Sequence, residues 1–329
     1  MPRCRMTDEQ LADSLRDVAS GILTPFSEDR RDVLHDEVKR NAQYLYDRGM
    51  RLFLSPANVS EYHSLTPDER IGTVESVVDT LPADATVLAG AGGSTETVLD
   101  LAGAYAAAGA HGLMIMPPDH AFRHERGLLA YYERIGERAE LPLIPYFRGI
   151  EVSADTVAAI AELERVAGIK YALHDVVKFV RAIEAAEGDT VWINGMAEPY
   201  APTLYAEGAE GFSSGVGNFE PSVSLSLMRV LRAGDWDRAR TIRNATLPFQ
   251  SLRSEPGSDN ALPAANSVPA LKTGLEMAGL YGGPVREPLV ELSESDERRA
   301  RKLYGDIEAF VESELEPSPR ATIADERTA

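Results

Sequence analysis

The sequence predicts a (β/α)8 barrel followed by a C-terminal helical region. Eight short apolar runs recur along the first two thirds of the chain, and a helical pattern follows each. Strands that alternate with helices in this way indicate a parallel sheet. Eight such units within about 200 residues match the size of a (β/α)8 barrel, which usually has about 250. The strand signals stop after residue 221, where only helical spacing continues.

The strands are predicted in order at residues 20–26, 51–56, 86–92, 112–118, 141–147, 167–172, 190–195 and 211–217. Amphipathic or alanine-rich helices separate them, as at 32–49 and 95–110. The helix before the sixth strand has Ser153 as its predicted N-cap and is expected to end near Gly168. A doubly wound sheet is the rival fold. The glycines of AGAGGSTE (89–96) lack the full dinucleotide-binding spacing, so this segment is predicted to be a tight loop.

Beyond the barrel, helices are predicted at 222–250, 265–281 and 294–313, with a loop at 253–263. The resulting organisation is an N-terminal helical segment (1–18), the barrel (19–221), a helical region (222–314) and a disordered tail (315–329).

The composition excludes several classes of partner. With 33 basic and 52 acidic residues the net charge is −19, which argues against binding to nucleic acid or to anionic membranes. Only five of the basic residues are lysines. Such an acidic, lysine-poor surface leads to the hypothesis of adaptation to high salt, where strong screening reduces the repulsion between carboxylates.

Cysteine usage and hydropathy predict a cytoplasmic protein. Cys4 is the only cysteine, so no disulfide can form within the chain. No apolar run reaches the length of a transmembrane helix, and the chain does not open on a secretory signal pattern.

Lys170 is the candidate nucleophile. It lies in VAGIKYALHD, at the end of an apolar run. Burial disfavours the ammonium form and lowers the pKa of a lysine, and a neutral amine can form a Schiff base with a ketone. The alternative is a strand-end lysine whose stem packs while its ammonium reaches water.

Polar residues at the predicted strand ends should meet Lys170, because catalytic groups of a barrel come from the C-terminal ends of its strands. Tyr146 ends the strand before that of Lys170 and is the candidate proton relay, since imine formation needs proton transfer. The alternative for Tyr146 is a structural tyrosine with a hydrated hydroxyl.

Five segments carry motifs that resemble one family: ILTPF (22–26), EYHSLTPDER (61–70), PYF (145–147), GIK (168–170) and PALKTGLEMAGLYGGPVREPL (269–289). They are similar to motifs of the dihydrodipicolinate synthase/N-acetylneuraminate lyase family, and the likeness runs from about residue 19 to 313. The resemblance implies a (β/α)8 barrel in which Lys170 forms the Schiff base and Tyr146 relays protons. It also implies no metal or organic cofactor and a homodimer or homotetramer.

Departures from the family pattern bear on the substrate. The family's G-T-T-G-E loop, which holds the substrate carboxylate, reads Ala57 to Glu61 here. Asn58 and Ser60 are predicted to replace its threonines, with Val59 between them also at the substrate. A tyrosine pair of dihydrodipicolinate synthases is replaced by Asp119 and His120, and one of their arginines by Glu151. These losses argue against a role in lysine biosynthesis.

Other motifs resemble enzymes of sugar acids. Arg148 and FSSGVGNFEP (212–221) are similar to motifs of 5-dehydro-4-deoxyglucarate dehydratases, and Gly195 to Glu198 resemble the G-Y-D-E of N-acetylneuraminate lyases. The resemblance implies that the substrate is bound by Arg148, Gly195, Glu198, Ser213 and Ser214. The alternative for Arg148 and Glu198 is an ion pair at the barrel rim.

His120 and His124 have the spacing of a helical metal-binding pair, but no third ligand accompanies them. We therefore expect no metal, and His120 is interpreted as a contact to substrate or to another subunit.

The predicted function is a Schiff-base lyase, an aldolase or dehydratase, acting on a small 2-oxo acid such as a 2-keto-3-deoxy sugar acid. One alternative is 4-hydroxy-tetrahydrodipicolinate synthase, which joins pyruvate and aspartate semialdehyde. An alternative of another class is a catalytically weak sugar-acid binding protein.

Overall fold

A computed structural model describes residues 6–315 and shows a closed barrel of eight parallel strands. The first strand pairs with both the second and the eighth, which closes the sheet. The predicted (β/α)8 barrel is confirmed, and closure excludes the doubly wound alternative. The strands are Val18–Gly21 (β1), Leu52–Ser55 (β2), Thr86–Ala91 (β3), Gly112–Ile115 (β4), Leu143–Phe147 (β5), Gly168–Tyr171 (β6), Val191–Asn194 (β7) and Gly211–Ser214 (β8).

Helices surround the barrel and extend beyond it. They are Asp8–Leu15 (α1), His35–Asp47 (α2), Pro67–Thr80 (α3), Thr95–Ala108 (α4), Glu125–Arg138 (α5), Ala154–Ala161 (α6), Val176–Ala185 (α7), Ala197–Ala206 (α8), Pro221–Arg232 (α9), Trp236–Ser254 (α10), Ser267–Met277 (α11) and Glu294–Glu314 (α12). Ser153 caps α6 as predicted, because its side chain accepts a hydrogen bond from the backbone N–H of Thr156. None of the helices in the described part of the chain is long and apolar enough to cross a membrane.

Several predicted boundaries differ from the structure, and three of them change the description of an element. The first strand ends at Gly21, before most of the predicted run 20–26, which contains a proline that has no N–H to donate to a sheet. Helix α6 ends at Ala161 rather than near Gly168. The helix predicted at 222–250 is two helices, α9 and α10, which are separated at Gly234, where φ is +71°.

The C-terminal helices close one side of the structure. Helix α10 packs against α8, α9 and α12, so the helical region lies directly on the barrel. Helix α10 also continues to Ser254, which places Arg253 on its last turn instead of in the loop predicted at 253–263. The predicted tail lies outside the described residues except for Leu315.

Alternation along the strands divides the core into two clusters. One fills the barrel and includes Leu54, Met114 and Tyr146, and the other lies between the strands and the surrounding helices. Ile169 and Tyr171 belong to the outer cluster. Because side chains alternate between the faces of a strand, Lys170 between them points into the barrel.

Candidate active site

Lys170 and Tyr146 meet inside the barrel, as their positions on consecutive strands predict. They are paired residues in the register of β5 and β6. The ammonium nitrogen Nζ of Lys170 lies 4.2 Å from the centroid of the Tyr146 ring and 3.5 Å from Met114 Sδ. Both residues are buried, with 6% and 2% of their surfaces exposed. The Nζ atom of Lys170 therefore faces an aromatic ring and a thioether, and among the residues that the structure describes no carboxylate neutralises a charge on it.

This environment favours a neutral lysine. Burial lowers the pKa of Lys170 from its ordinary value, Tyr146 opposes the shift, and the positive charge of Arg148 adds to it. A larger fraction of the amine is then unprotonated at neutral pH, which is the form that attacks a carbonyl.

The pKa of Tyr146 is lowered as well, although burial acts against this shift. Burial raises its pKa, but the charges of Lys170 and Arg148 together with hydrogen bonds from Arg148 and Asn58 outweigh burial and lower the pKa overall. A phenol with a lowered pKa gives up its proton more readily, so Tyr146 can donate to and accept from a reacting group beside Lys170.

Gly195 allows the backbone to pass close to Lys170. A Cβ atom at this position would lie 2.8 Å from Ala172 Cβ, 3.0 Å from the Tyr171 carbonyl oxygen and 3.3 Å from Lys170 Cγ. A side chain there would collide with the strand that carries the lysine. Gly195 thus shapes the site through the space it leaves open.

The loop of Asn58, Val59 and Ser60 forms one wall of the site and folds as a single 3-10 turn. Asn58 and Val59 line the cavity. The Ser60 hydroxyl accepts a hydrogen bond of 2.8 Å from the Ala57 N–H, and the Ser60 carbonyl accepts one of 2.7 Å from the Thr24 hydroxyl. Ser60 therefore holds the loop in shape, while its two neighbours face the cavity.

A buried ion pair anchors the end of this loop. Lys272 Nζ lies 2.7 Å from Glu61 Oε1, and the two side chains are 4% and 0% exposed. The other carboxylate oxygen of Glu61 accepts a hydrogen bond of 2.8 Å from the Arg286 N–H. Lys272 is thus structural, as its place on an amphipathic helix indicates, and it links α11 to the loop at the barrel mouth.

The cavity at the barrel mouth has a volume of about 1810 Å³. Among the predicted substrate-binding residues it is lined by Asn58, Val59, Arg148, Gly195, Ser213 and Ser214, together with Tyr146 and Lys170. His120 is exposed outside this lining, where its ring nitrogen accepts a hydrogen bond from the Phe122 N–H.

Glu198 lies behind the cavity wall. Its side chain is fully buried, and Oε1 accepts hydrogen bonds from the hydroxyls of Ser214 and Ser224. Its Oε2 accepts one from the Gln250 amide. The carboxylate is therefore enclosed by protein donors rather than presented to the cavity.

The lining residues that sequence reasoning missed include Gln250 and Arg253, which α10 supplies. Their spacing of three residues places them on one face of a helix, and this was the available signal. The loop predicted at 253–263 begins at Arg253 and so separates the two residues.

Comparison with known proteins identifies the family of this chain. The model of the dihydrodipicolinate synthetase family matches residues 14–305. A probable 5-dehydro-4-deoxyglucarate dehydratase of Methylobacterium radiotolerans is 29% identical over 303 residues, which cover 90% of this chain and 97% of that protein. The 4-hydroxy-tetrahydrodipicolinate synthase of Methanothrix thermoacetophila is 28% identical, over 87% of this chain and 95% of its own.

Solved structures show the same likeness. The crystal structure of dihydrodipicolinate synthase from Bacillus clausii has a TM-score of 0.86 and 30% identity, covering 91% of this chain and 99% of that one. The enzyme from Oceanobacillus iheyensis also has a TM-score of 0.86, with 28% identity over 92% of this chain and 100% of its own. The chain belongs to the dihydrodipicolinate synthetase family and is an enzyme, a lyase that acts on carbon–carbon or carbon–oxygen bonds.

Proposed function

We propose that this enzyme forms a Schiff base between Lys170 and the ketone of a 2-oxo acid, and that its substrate is a 2-keto-3-deoxy sugar acid. The observation that carries the proposal is the amine itself. Lys170 Nζ is buried at the mouth of a closed barrel, beside the Tyr146 ring, in surroundings that lower its pKa. Desolvation of this kind produces nucleophilic lysines.

The reaction follows from these two groups. The neutral amine attacks the ketone carbon, and the carbonyl oxygen takes a proton from Tyr146 to give a carbinolamine. A second proton transfer expels that oxygen as water and leaves a protonated imine. The imine then accepts an electron pair from its neighbouring carbon, the third of the acid. In an aldolase this pair comes from the bond between the third and fourth carbons, which breaks as the hydroxyl of the fourth carbon loses its proton and becomes an aldehyde. In a dehydratase it comes from a C–H bond of the third carbon, and the fourth carbon then loses its hydroxyl, so that a proton and a hydroxyl leave as water. Hydrolysis of the imine then frees Lys170.

The loop of Asn58, Val59 and Ser60 is proposed to hold the carboxylate next to the ketone. Asn58 and Val59 line the cavity, and the Asn58 side chain is one of the groups that lower the pKa of Tyr146. A carboxylate bound here would place its ketone carbon near Lys170. Ser60 supports the loop from behind, through the hydrogen bond of its hydroxyl to the Ala57 N–H.

Two observations favour a sugar acid. Arg148 lines the cavity two residues after Tyr146, where it can bind a distal acidic or hydroxyl group, while Gly195 and Ser213 line it from neighbouring strands. The relatives include enzymes named for 5-dehydro-4-deoxyglucarate as well as for 4-hydroxy-tetrahydrodipicolinate. His120 is proposed as a contact to another subunit of a homodimer or homotetramer, because it is exposed outside the cavity lining.

Reduction with borohydride tests the proposal directly. We expect pyruvate and 2-keto-3-deoxy sugar acids to become fixed to the protein, with a mass gain equal to the keto acid less one oxygen atom. Lys170→Ala should abolish both the adduct and turnover. Lys178→Ala is the matched control, because Lys178 also lines the cavity but lies 3.9 Å from the Glu151 carboxylate. An adduct that persists in Lys170→Ala refutes the assignment.

Turnover assays run beside the borohydride reduction distinguish the other candidate functions. Condensation of pyruvate with aspartate semialdehyde, and no turnover of sugar acids, would identify a 4-hydroxy-tetrahydrodipicolinate synthase. The named relative from Methanothrix thermoacetophila is the observation in favour of that activity. A sugar-acid binding protein would bind its ligand and give no covalent adduct.

A further inference from the structure

Arg253 is a cavity-lining cation held entirely by neutral groups. From the last turn of α10, its Nη1 donates to Gln250 Oε1 at 2.6 Å and its Nη2 to the Ser267 hydroxyl at 3.0 Å. Its Nε donates to the Ser267 carbonyl at 3.4 Å. A guanidinium has five N–H donors, so two remain for a ligand.

A relay of buried side chains fixes the position of this guanidinium. Glu198 Oε2 accepts from the Gln250 NH₂ group, which turns the Gln250 oxygen toward Arg253. The Glu198 carboxylate is itself held by the hydroxyls of Ser214 and Ser224. Because the guanidinium is already ordered before a ligand binds, binding costs less side-chain conformational entropy. Glu198 therefore acts on the cavity through Gln250.

The path from α10 to the barrel rim is kept open by Gly215, which follows β8. A Cβ atom at Gly215 would overlap Arg253 Nη1. Because Gly215 has no side chain, the guanidinium can lie against the barrel rim, where β8 ends with Ser213 and Ser214.

The charge balance of the cavity indicates what Arg253 binds. Burial lowers the pKa of Arg253 to about 10, the Glu198 carboxylate opposes this shift, and the like charge of Arg148 adds to it. Within residues 6–315, neither arginine has a carboxylate oxygen within 4.0 Å. Three carboxylates also line the cavity, but each has another partner: Glu151 pairs with Lys178, Glu255 pairs with Arg299, and Asp175 accepts from the Lys178 N–H. An anion bound between the two guanidiniums would relieve their mutual repulsion and pair with both of them.

We propose that Arg253 and Arg148 bind the distal carboxylate of the substrate, which makes the substrate a dicarboxylic 2-oxo acid. This inference rests on the proposed function, in which Lys170 binds the ketone and the loop of Asn58 to Ser60 binds the first carboxylate. Arg253 determines specificity, and Glu198 and Gln250 are positioning residues.

The test compares a 2-keto-3-deoxy aldarate with the corresponding monocarboxylic aldonate. The measured quantity is the keto acid concentration that gives half-maximal borohydride adduct. We expect the wild-type protein to favour the dicarboxylate by about 30-fold or more, the least that a buried charge pair usually contributes. Arg253→Gln should remove most of this preference and leave the monocarboxylate within about threefold. Arg253→Lys should restore part of it.

Arg243→Gln is the matched control, because Arg243 also lies on α10 but does not line the cavity. Its guanidinium donates to the Pro199 carbonyl and to the Asn244 side chain. A wild-type protein that does not prefer the dicarboxylate, or an Arg253→Gln variant that weakens the binding of both acids equally, overturns the inference.

Pyruvate distinguishes a failure of the dicarboxylate inference from a failure of the Schiff-base function. If pyruvate forms the adduct but the preference is missing, only the dicarboxylate inference fails. If no keto acid forms an adduct, the Schiff-base function fails with it.

Discussion

Replacement of Lys272 by methionine tests the buried ion pair that anchors the substrate loop. The change keeps a side chain of similar length but removes the ammonium group, which lies 2.7 Å from Glu61 Oε1 and 2.5 Å from the Pro284 carbonyl oxygen. The Glu61 carboxylate would retain the hydrogen bond from the Arg286 N–H, in a site where its side chain is fully buried. Breaking a buried pair in this way costs about 3–5 kcal/mol.

Protonation of Glu61 sets an upper limit on the electrostatic part of this loss. Burial already raises the pKa of Glu61, although Lys272 opposes the shift. Taking up a proton costs about 1.4 kcal/mol for each pH unit above the ordinary glutamate pKa of about 4.3, hence roughly 4 kcal/mol at pH 7 and 1 kcal/mol at pH 5. A raised pKa gives stability that is present at low pH and lost as pH rises. The variant should therefore approach the wild-type stability as pH falls from 7 to 5.

Urea unfolding at the two pH values measures this loss. We expect Lys272→Met to lower the free energy of unfolding by about 3–5 kcal/mol at pH 7, and by about 2–3 kcal/mol less at pH 5. Lys302→Met is the matched control, because Lys302 pairs with Asp306 on the surface, where both side chains are mostly exposed. Adding Glu61→Gln to Lys272→Met should remove the pH dependence. A loss at pH 7 no larger than that of the control, or one independent of pH, would refute the reasoning.

Three further predictions concern catalysis, acid stability and salt. Tyr146→Phe keeps the ring beside Lys170 but removes the hydroxyl, so turnover should fall by about 10²–10⁴-fold; a loss below tenfold excludes Tyr146 as proton relay. Burial raises the pKa of Glu69, but hydrogen bonds from Arg286 and Thr66 together with the charge of Arg286 outweigh burial and lower the pKa. This pair stabilises the fold above the ordinary glutamate pKa, and the contribution is lost as pH falls through the lowered value. Glu69→Gln should cost about 1–3 kcal/mol at pH 7 and flatten acid denaturation in urea; an unchanged pH curve contradicts this. The melting temperature should rise from low to molar salt if the acidic surface is adapted to salt, and equal melting temperatures would contradict that.

The covalent chemistry proposed for this site could be located from the sequence because it depends on local pattern. Alternating apolar runs and helices predicted the barrel, and the ends of those runs placed Tyr146 and Lys170 on neighbouring strands. A barrel brings all its strand ends to one face, so position along the chain translates into position at the mouth. The inward direction of Lys170 follows from its two apolar neighbours on β6, since side chains alternate along a strand.

The far end of the cavity depended on contacts that local pattern does not encode. Glu198 matched a substrate-binding motif, yet its carboxylate is enclosed by Ser214, Ser224 and Gln250, which come from three different elements. The sequence predicts a loop that begins at Arg253, and only the docking of α10 against α8 brings this residue to the barrel rim. The sequence determined which strand ends carry the candidate nucleophile and proton relay, because residue type and strand position are local properties. The tertiary structure decided which charges face the cavity, because that depends on how helices far apart in the chain pack together.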